Sequence, residues 1–263
     1  MADDDAPRVR VERDGHVLLI GLDRPAKRNA ADVRMLQQLA LAYGEFARDD
    51  KARVAVVHGI GEHFTGGLDL GDIAPRLSGG LDLVPEGGID PWQLTGQVLD
   101  KPVVLAVQGT CLTLGIELIL ASDIAIAADS TRFGQIEVNR GILPFGGATL
   151  RFPRAVGWGD AMRWMLTAEL FDAAEAHRIG LVQEVVPHGE QLSRAVQLAT
   201  RIAEQAPLAV RATLANAKLA VREGAVAASA ALPGELARLA ATEDAAIGVT
   251  AFLTRTAPNY VGR

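Results

Sequence analysis

The apolar segment that follows Lys101 is the feature that most limits what this chain can fold into. Residues 102–128 read PVVLAVQGTCLTLGIELILASDIAIAA, and Glu117 and Asp123 are the only charged side chains among them. Its two ends, PVVLAV and DIAIAA, are short continuous apolar runs, and residues 54–60 (VAVVHGI) form a third. Such runs, apolar at every position, are typical of parallel strands covered on both faces. The sequence therefore predicts an α/β core.

Turn and helix signals give the order of the remaining elements. Asp14-Gly15 between the apolar runs of residues 9–22 predicts a β-hairpin, and apolar residues at helical spacing predict a helix over residues 31–48. Residues 76–90 are rich in glycine and proline and predict a flexible loop that borders a site. The later predictions are a helix over residues 155–170, a second over 171–180, a short strand over 181–186 and amphipathic helices from Gln191 to Phe252.

The composition is that of a soluble globular protein, with 49% hydrophobic and 22% charged residues in a chain of 263. A net charge of −6 argues against nucleic acid as the main partner. A single cysteine, Cys111, excludes an intrachain disulfide and a cysteine metal cluster. The acidic N-terminal residues lack the apolar stretch of a signal peptide, and the polar residues within 102–128 argue against a membrane span. We therefore expect a cytoplasmic protein.

The sequence contains no complete copy of the common cofactor-binding or metal-binding motifs. Residues 58–64 (HGIGEHF) begin like a dinucleotide-binding turn, but they lack the third glycine and no helix start follows. The sequence has no GxxxxGK[ST], HExxH, CxxC or GxSxG motif. Its histidines have no ligand spacing: they are His16, His58, His63, His177 and His188. We therefore predict no metal site.

Two acidic residues need an explanation. An ionised carboxylate buried without partners costs several kcal/mol, so Glu117 is expected to be paired, neutralised or used. Glu137 follows twenty residues later. Either acid could be structural, Glu117 bonded to a buried amide or an arginine, and Glu137 paired with Arg132 or Arg140. Alternatively, the two carboxylates could perform acid–base chemistry on a carbonyl compound.

Two loops are candidates for binding a carbonyl oxygen. HFTGG (residues 63–67) could be a simple tight turn, or its glycines could allow the backbone to approach a ligand closely. GTCLTLGIEL leaves a strand and enters a helix near Leu114-Gly115, where a helix N-terminus presents unpaired N–H groups. One donor from each loop would make an oxyanion hole for a thioester or an amide.

Taken in order, these segments resemble the crotonase, or enoyl-CoA hydratase/isomerase, superfamily. LDRPAKRNA resembles its first loop, HFTGGLDL its first oxyanion loop, the stretch from GTCLTLGIEL to FPRAVG its central signature, and AFLTRTAPNYVGR its closing helix and tail. The resemblance covers nearly the whole chain. It implies an α/β fold with a crotonase-like spiral of ββα repeats over residues 1–190, which holds the acyl-CoA site. It also implies a helical trimerisation region over residues 191–263, packed on the core or on a neighbouring subunit.

The resemblance also implies the residues of the site. The oxyanion donors are the backbone N–H groups of Leu68 and Leu114, and the two acids of the hydratase subgroup are Glu117 and Glu137. Arg255 takes the place of a C-terminal lysine that often reaches a neighbour's coenzyme A. The other predicted coenzyme A-binding positions are Lys27 and Arg28, as candidates for the phosphates, and Ala30, Gly67, Leu70 and Gly115.

An enoyl-CoA hydratase is the activity that the resemblance implies, with a coenzyme A thioester as substrate and no prosthetic group. Glu117 would activate water for addition to Cβ, and Glu137 would protonate Cα. The chain would form a homotrimer or a dimer of trimers. Two alternatives stay open: an enoyl-CoA isomerase that uses Glu137 alone, and a catalytically weak acyl-CoA-binding paralogue. Thr113-Leu114 and Leu68 replace smaller residues common in the family, so we expect a narrower or reshaped acyl pocket.

Overall fold

The structure is a computed structural model that describes residues 6–79 and 83–263. Strands and helices alternate through the first two thirds of the chain, and helices follow. The strands are β1 (Val9–Asp14), β2 (Val17–Leu22), β3 (Val54–Gly59), β4 (Val103–Val107), β5 (Thr110–Leu112), β6 (Ile124–Ala128), β7 (Arg132–Gly134), β8 (Phe171–Asp172) and β9 (Glu184–Val186). The helices are α1 (Val33–Arg48), α2 (Leu70–Ile73), α3 (Leu114–Ala121), α4 (Ala148–Val156), α5 (Trp158–Thr167), α6 (Ala173–Arg178), α7 (Gln191–Ala203), α8 (Pro207–Glu223), α9 (Ala225–Ala240) and α10 (Glu243–Thr254).

The main sheet has six strands in the order β1-β2-β3-β4-β6-β9. β1 and β2 pair in antiparallel fashion around a turn at Gly15, whose φ of 56° favours glycine. All the other pairs of this sheet are parallel. A smaller sheet has the order β5-β7-β8, and its strands alternate along the chain with the last strands of the main sheet. The predicted hairpin and the three predicted buried strands are therefore confirmed.

Both faces of the central strands β3, β4 and β6 are covered, which explains why these strands are almost entirely apolar. Val54 and Val56 of β3 face one side and belong to a cluster with Ala195 of α7. Ala55 and Val57 alternate to the opposite side and join the larger cluster, which includes α1 and α3. Successive side chains of a strand point to opposite faces, so a strand between two helical layers has no solvent-facing position.

Two helix predictions need correction. The single helix predicted over residues 155–170 is wrong, because α4 and α5 meet at Gly157, whose φ of 87° and ψ of 156° lie outside the helical region. The first two residues of the helix predicted over residues 171–180 form β8 instead. The Asp172 side chain then caps α6 by accepting a hydrogen bond from the Glu175 N–H.

The C-terminal helices bury little of their apolar surface within this chain. α8 has no buried residue and α9 has one, Ala228. Strongly exposed apolar side chains on α9 and α10 are Val226, Leu236, Val249, Phe252 and Leu253. α7, by contrast, packs across the main sheet. The division at residue 190 and the packing of residues 191–263 on a neighbouring subunit stay predictions.

Within residues 6–79 and 83–263, no helix combines the length and the apolar character needed to cross a membrane. The same part of the chain holds no group of three or more histidine, cysteine, aspartate or glutamate residues placed to bind a metal ion.

Candidate active site

A cavity of about 680 Å³ is lined in part by the loops that follow β2, β3 and β5. Crevices at the carboxyl ends of parallel strands are the usual ligand sites of open α/β sheets. Both candidate acids line this cavity. The predicted site residues that line it are Lys27, Ala30, Leu68, Leu70, Leu114, Glu117 and Glu137. The predicted residues outside its lining are Arg28, Gly67, Gly115 and Arg255.

The residues outside the lining have other positions in the fold. Arg28 adopts a left-handed conformation with φ 52°, and its carbonyl accepts a hydrogen bond from Gly66 N at 2.7 Å. Gly115 lets α3 pack closely, because a Cβ there would lie 2.6 Å from Thr65 Cγ2. Arg255 is exposed at the left-handed end of α10. Coenzyme A contacts by these three residues stay predictions.

Glu117 lies in the first turn of α3 and is only 3% exposed. Its Oε1 accepts a hydrogen bond from the Ala148 N–H at 3.1 Å, where α4 begins. Burial raises the pKa of Glu117, while the backbone N–H groups of residues 146–148 and the positive charge of Arg151 lower it. Burial outweighs the other effects, so the pKa of Glu117 is raised overall, and the hydrogen bonds limit this rise because they favour the charged form.

Glu137 begins a 3-10 turn, Glu137–Arg140, that ends at Gly141 in a left-handed conformation. Its Oε1 accepts a hydrogen bond from Gln135 Nε2 at 2.7 Å, so the partner is neither of the arginines considered from sequence. Its Oε2 is buried and has no hydrogen-bond partner among the described residues. Burial, reinforced by the negative charge of Glu117, raises the pKa of Glu137 to about 7.

The two acids therefore have different environments within one cavity. Backbone donors surround Glu117, whereas Glu137 has a buried oxygen without a partner. An ionised Glu117 makes ionisation of Glu137 harder, because like charges in an apolar site repel. Pairs of titratable groups with separated pKa values are suited to act as one base and one acid. This arrangement can remove a proton at one carboxyl group and deliver one at the other.

The backbone around Leu68 leaves its N–H group outside the local hydrogen-bond pattern. Ala31 N donates to the Gly67 carbonyl at 2.8 Å, and Asp69 N donates to the Ala31 carbonyl at 2.9 Å. These two hydrogen bonds form a parallel bridge between Ala31 and Leu68, in which the N–H of Leu68 points away from Ala31. Leu68 also lines the cavity. The geometry thus provides a candidate donor toward the cavity.

Leu114 is the first residue of α3, so its N–H has no partner within the helix. Thr113 precedes it with φ 50° and ψ −112°, a conformation that L-residues rarely adopt. Such strain costs on the order of 1–3 kcal/mol and persists only where the surroundings impose it. Thr113 Oγ1 has no hydrogen-bond partner among the described residues and occupies the space that a Cβ on Gly67 would need. The two donor loops are therefore in direct contact.

Asn29 is a buried residue that the sequence reasoning missed, although it lies within the segment that resembles the family's first loop. Its side-chain Nδ2 donates to the carbonyls of Ile60 (3.0 Å) and His63 (2.8 Å), and its Oδ1 accepts from Arg24 N (2.7 Å). Its own carbonyl accepts from Thr65 Oγ1 at 2.8 Å. Asn29 therefore fastens the first loop to the loop that carries Leu68.

We expect Asn29→Ala to lower the free energy of unfolding by about 3–5 kcal/mol, because three buried polar groups lose their partners. Urea unfolding would measure this change. Asn29→Gly is the matched control, since it removes the same side chain but tolerates the φ of 53°. The alanine variant should be about 1 kcal/mol less stable than the glycine variant. An Asn29→Ala variant as stable as the wild type would contradict this role.

Further cavity residues were also missed. Trp92 lies just after residues 76–90, which were predicted as a loop that borders a site, and Asp90 is the last residue of that segment. The structure has a 3-10 turn at Ala74–Gly79, and residues 80–82 of that segment lie outside the described residues. Ile142 and Phe145 are further lining residues that were missed, whereas Thr113, which was expected to shape the acyl pocket, does line the cavity.

The model of the enoyl-CoA hydratase/isomerase family matches residues 12–263 of this chain. The chain therefore belongs to the enoyl-CoA hydratase/isomerase, or crotonase, family. It is 38% identical over 259 residues to 2,3-dehydroadipyl-CoA hydratase from Escherichia coli K12, covering 96% of this chain and 98% of that protein. It is 32% identical over 270 residues to enoyl-CoA hydratase EchA19 from Mycobacterium tuberculosis H37Rv, covering 98% and 97%. The prediction of an enzyme of the enoyl-CoA hydratase type, or a close relative, is confirmed.

Solved structures confirm the predicted crotonase-like fold. A probable enoyl-CoA hydratase/isomerase from Mycobacterium abscessus superposes with a TM-score of 0.97 and 59% identity. The match covers 98% of this chain and 100% of that chain. An enoyl-CoA hydratase from Mycobacterium tuberculosis H37Rv superposes with a TM-score of 0.90 and 33% identity, covering 98% and 100%. The helical C-terminal region is part of this fold, and trimerisation through it stays a prediction.

Proposed function

We propose that this protein adds water across the 2,3 double bond of an enoyl-CoA thioester. The observation that carries the proposal is the placement of Glu117 and Glu137 in one cavity, where a backbone N–H donates to Glu117 and Glu137 keeps a buried oxygen without a partner among the described residues. Both curated relatives named above are hydratases, which supports the same class of reaction. The acyl group of the substrate would occupy the apolar part of the cavity.

In the proposed reaction the N–H groups of Leu68 and Leu114 donate hydrogen bonds to the thioester oxygen. They stabilise the negative charge that develops there as the double bond is attacked. Glu117 takes a proton from a water molecule whose oxygen bonds to Cβ. Glu137 gives its proton to Cα, which completes the addition. Transfer of the proton from Glu117 back to Glu137 restores the starting state, so one water molecule is consumed in each cycle.

We further propose that the rim of the cavity binds coenzyme A. Lys27 lines the cavity and carries a positive charge suited to a phosphate. Arg28 follows it in the same loop, and Arg255 would contribute from a neighbouring subunit of a homotrimer or a dimer of trimers. The exposed apolar side chains of α9 and α10 support such an assembly.

The hydration rate should depend on pH in a bell-shaped manner. Glu137 must be protonated to act as the acid, and its pKa is raised to about 7. We therefore expect kcat/KM to fall as pH rises through about 7. On the acidic side, protonation of Glu117 removes the base and lowers the rate. A pH–rate profile with crotonyl-CoA measures both limbs. A rate that stays constant from neutral to alkaline pH would contradict Glu137 as the acid.

Assays with purified protein test the proposed function directly. Wild-type protein should hydrate crotonyl-CoA or a longer 2-enoyl-CoA, as followed by loss of the conjugated thioester absorbance. Glu117→Gln should abolish hydration. If that variant still moves a double bond between the 3 and 2 positions, the enzyme is an isomerase that uses Glu137. Acyl-CoA binding without turnover of any chain length would indicate the non-catalytic paralogue instead.

A further inference from the structure

Residues 90–95 form a turn held by one carboxylate beside the cavity. The Asp90 carboxylate accepts hydrogen bonds from the backbone N–H groups of Trp92 (2.9 Å), Leu94 (2.8 Å) and Thr95 (3.1 Å). Local bonds of this kind fix a turn without help from a ligand. The backbone from which the Trp92 side chain extends is therefore set by the chain itself.

Two side chains of this turn donate hydrogen bonds to backbone carbonyls at the two ends of α3. Trp92 Nε1 donates to the Leu114 carbonyl at 3.1 Å, at the start of the helix. Gln93 Nε2 donates to the Ala121 carbonyl at 3.2 Å, at its end. Because α3 also carries Glu117, the indole of Trp92 and the candidate base belong to one rigid unit.

The indole of Trp92 lies next to Glu117 with only Gly146 between them. A Cβ on Gly146 would lie 3.1 Å from Trp92 Cδ1 and 2.5 Å from Glu117 Oε2. Trp92 lines the cavity, although only 8% of its surface is exposed. The exposed part of the ring therefore forms cavity wall close to the carboxyl group at which water would be activated.

We propose that Trp92 determines which acyl chains the enzyme accepts, by forming the inner wall of the acyl pocket and favouring short chains. This inference rests on the proposed function, because the wall acts on the acyl group of an enoyl-CoA. Carbons beyond Cβ must extend past Glu117. An indole held by its own hydrogen bond and by the Asp90 turn cannot swing aside to admit them. A smaller side chain at this position leaves room for further methylene groups.

The test is the ratio of kcat/KM for decenoyl-CoA to that for crotonyl-CoA in wild type, Trp92→Phe, Trp92→Leu and Trp92→Ala. One methylene in an apolar pocket changes specificity by about tenfold or more. We expect the ratio to rise by at least about tenfold in Trp92→Leu and further in Trp92→Ala, with a smaller rise in Trp92→Phe. An unchanged ratio in a folded Trp92→Leu variant would overturn the proposal.

A matched control separates specificity from loss of packing. Trp164→Phe and Trp164→Leu change another buried tryptophan, which is 4% exposed, stacks on Phe171 and does not line the cavity. These variants should lower the melting temperature without changing the chain-length ratio. The same change of ratio in the Trp164 variants would show a general loosening of the fold and would overturn the assignment to Trp92.

A second measurement keeps Trp92 itself in place. In a Trp158→Phe, Trp164→Phe background, Trp92 is the sole tryptophan, because the chain has three. Its emission should shift when butyryl-CoA binds and should not shift with coenzyme A alone. No spectral response to a bound acyl-CoA would overturn the proposal. A wild-type enzyme that hydrates nothing contradicts the proposed function instead, and the fluorescence response still tests Trp92.

Discussion

Glu137→Gln is expected to lower kcat for hydration by a factor of about 10²–10⁴, the usual contribution of a positioned general acid. KM should change little, because the glutamine fills the same space and the proton is transferred only in the transition state. Steady-state kinetics with crotonyl-CoA at neutral pH measures the effect. Glu117→Gln should lose activity to a similar extent. The two losses should not add in the double variant, because the acids act as a unit.

Glu137→Gln should also stabilise the fold at alkaline pH. The pKa of Glu137 is raised from 4.5 to about 7 in the folded protein. The folded state therefore binds this proton more tightly than the unfolded chain, and stability falls as pH rises from about 4.5 through about 7. Glu137→Gln removes that loss, so its melting temperature relative to wild type should be higher at pH values above this range than below it.

Glu204→Gln serves as a control, since Glu204 is exposed at the end of α7, remote from the cavity lining. It should leave kcat unchanged. A Glu137→Gln enzyme with near wild-type turnover would contradict the role of Glu137 as the acid. A melting temperature that responds to the change equally at all pH values would contradict its raised pKa.

Leu68→Pro is expected to lower kcat by about 10²–10³, because proline has no N–H to donate to the thioester oxygen. Leu68→Ala is the matched control: it removes most of the side chain but keeps the donor. The neighbouring hydrogen bonds use Gly67 O and Asp69 N, so neither substitution removes them. Glycine at position 67 also limits the steric effect of a following proline.

The two Leu68 variants should be compared for kcat, for coenzyme A affinity and for melting temperature. A folded Leu68→Pro enzyme with a kcat close to that of Leu68→Ala would exclude this N–H as an oxyanion donor. If the reduced volume in Leu68→Ala also raises activity on longer enoyl-CoAs, the leucine side chain contributes to the narrow pocket predicted from the sequence.

The parallel strands could be predicted because burial on both faces of a strand requires apolar residues at successive positions of the sequence. β3, β4 and β6 each read as a continuous apolar run, and both faces of these strands are covered. The break between α4 and α5 was not predicted, because the apolar spacing continues across Gly157. Only the backbone conformation, with φ 87°, shows that glycine ends one helix there and starts the next.

Glu117 could be found because its charge stands out in an apolar segment, and the family resemblance then supported Glu137, twenty residues later, as the second acid. The residues that position the site have no distinctive sequence pattern. Asn29 looks like an ordinary loop residue until its amide is seen to join two carbonyls distant in sequence. Trp92 follows a segment without periodicity, and its contact with Leu114 depends on how two remote segments meet.

The short helix α3 carries both Leu114, the candidate oxyanion donor, and Glu117, the candidate base, one turn apart on the same face. Any displacement of α3 therefore moves the polarised carbonyl and the attacking water together, and their mutual geometry is preserved. Glu137 lies on a separate 3-10 turn, which is connected to the start of α3 through the pairing of β5 with β7 and not through one helix. Protonation at Cα is consequently the step whose alignment an insertion or a packing change near residues 135–141 would disturb first.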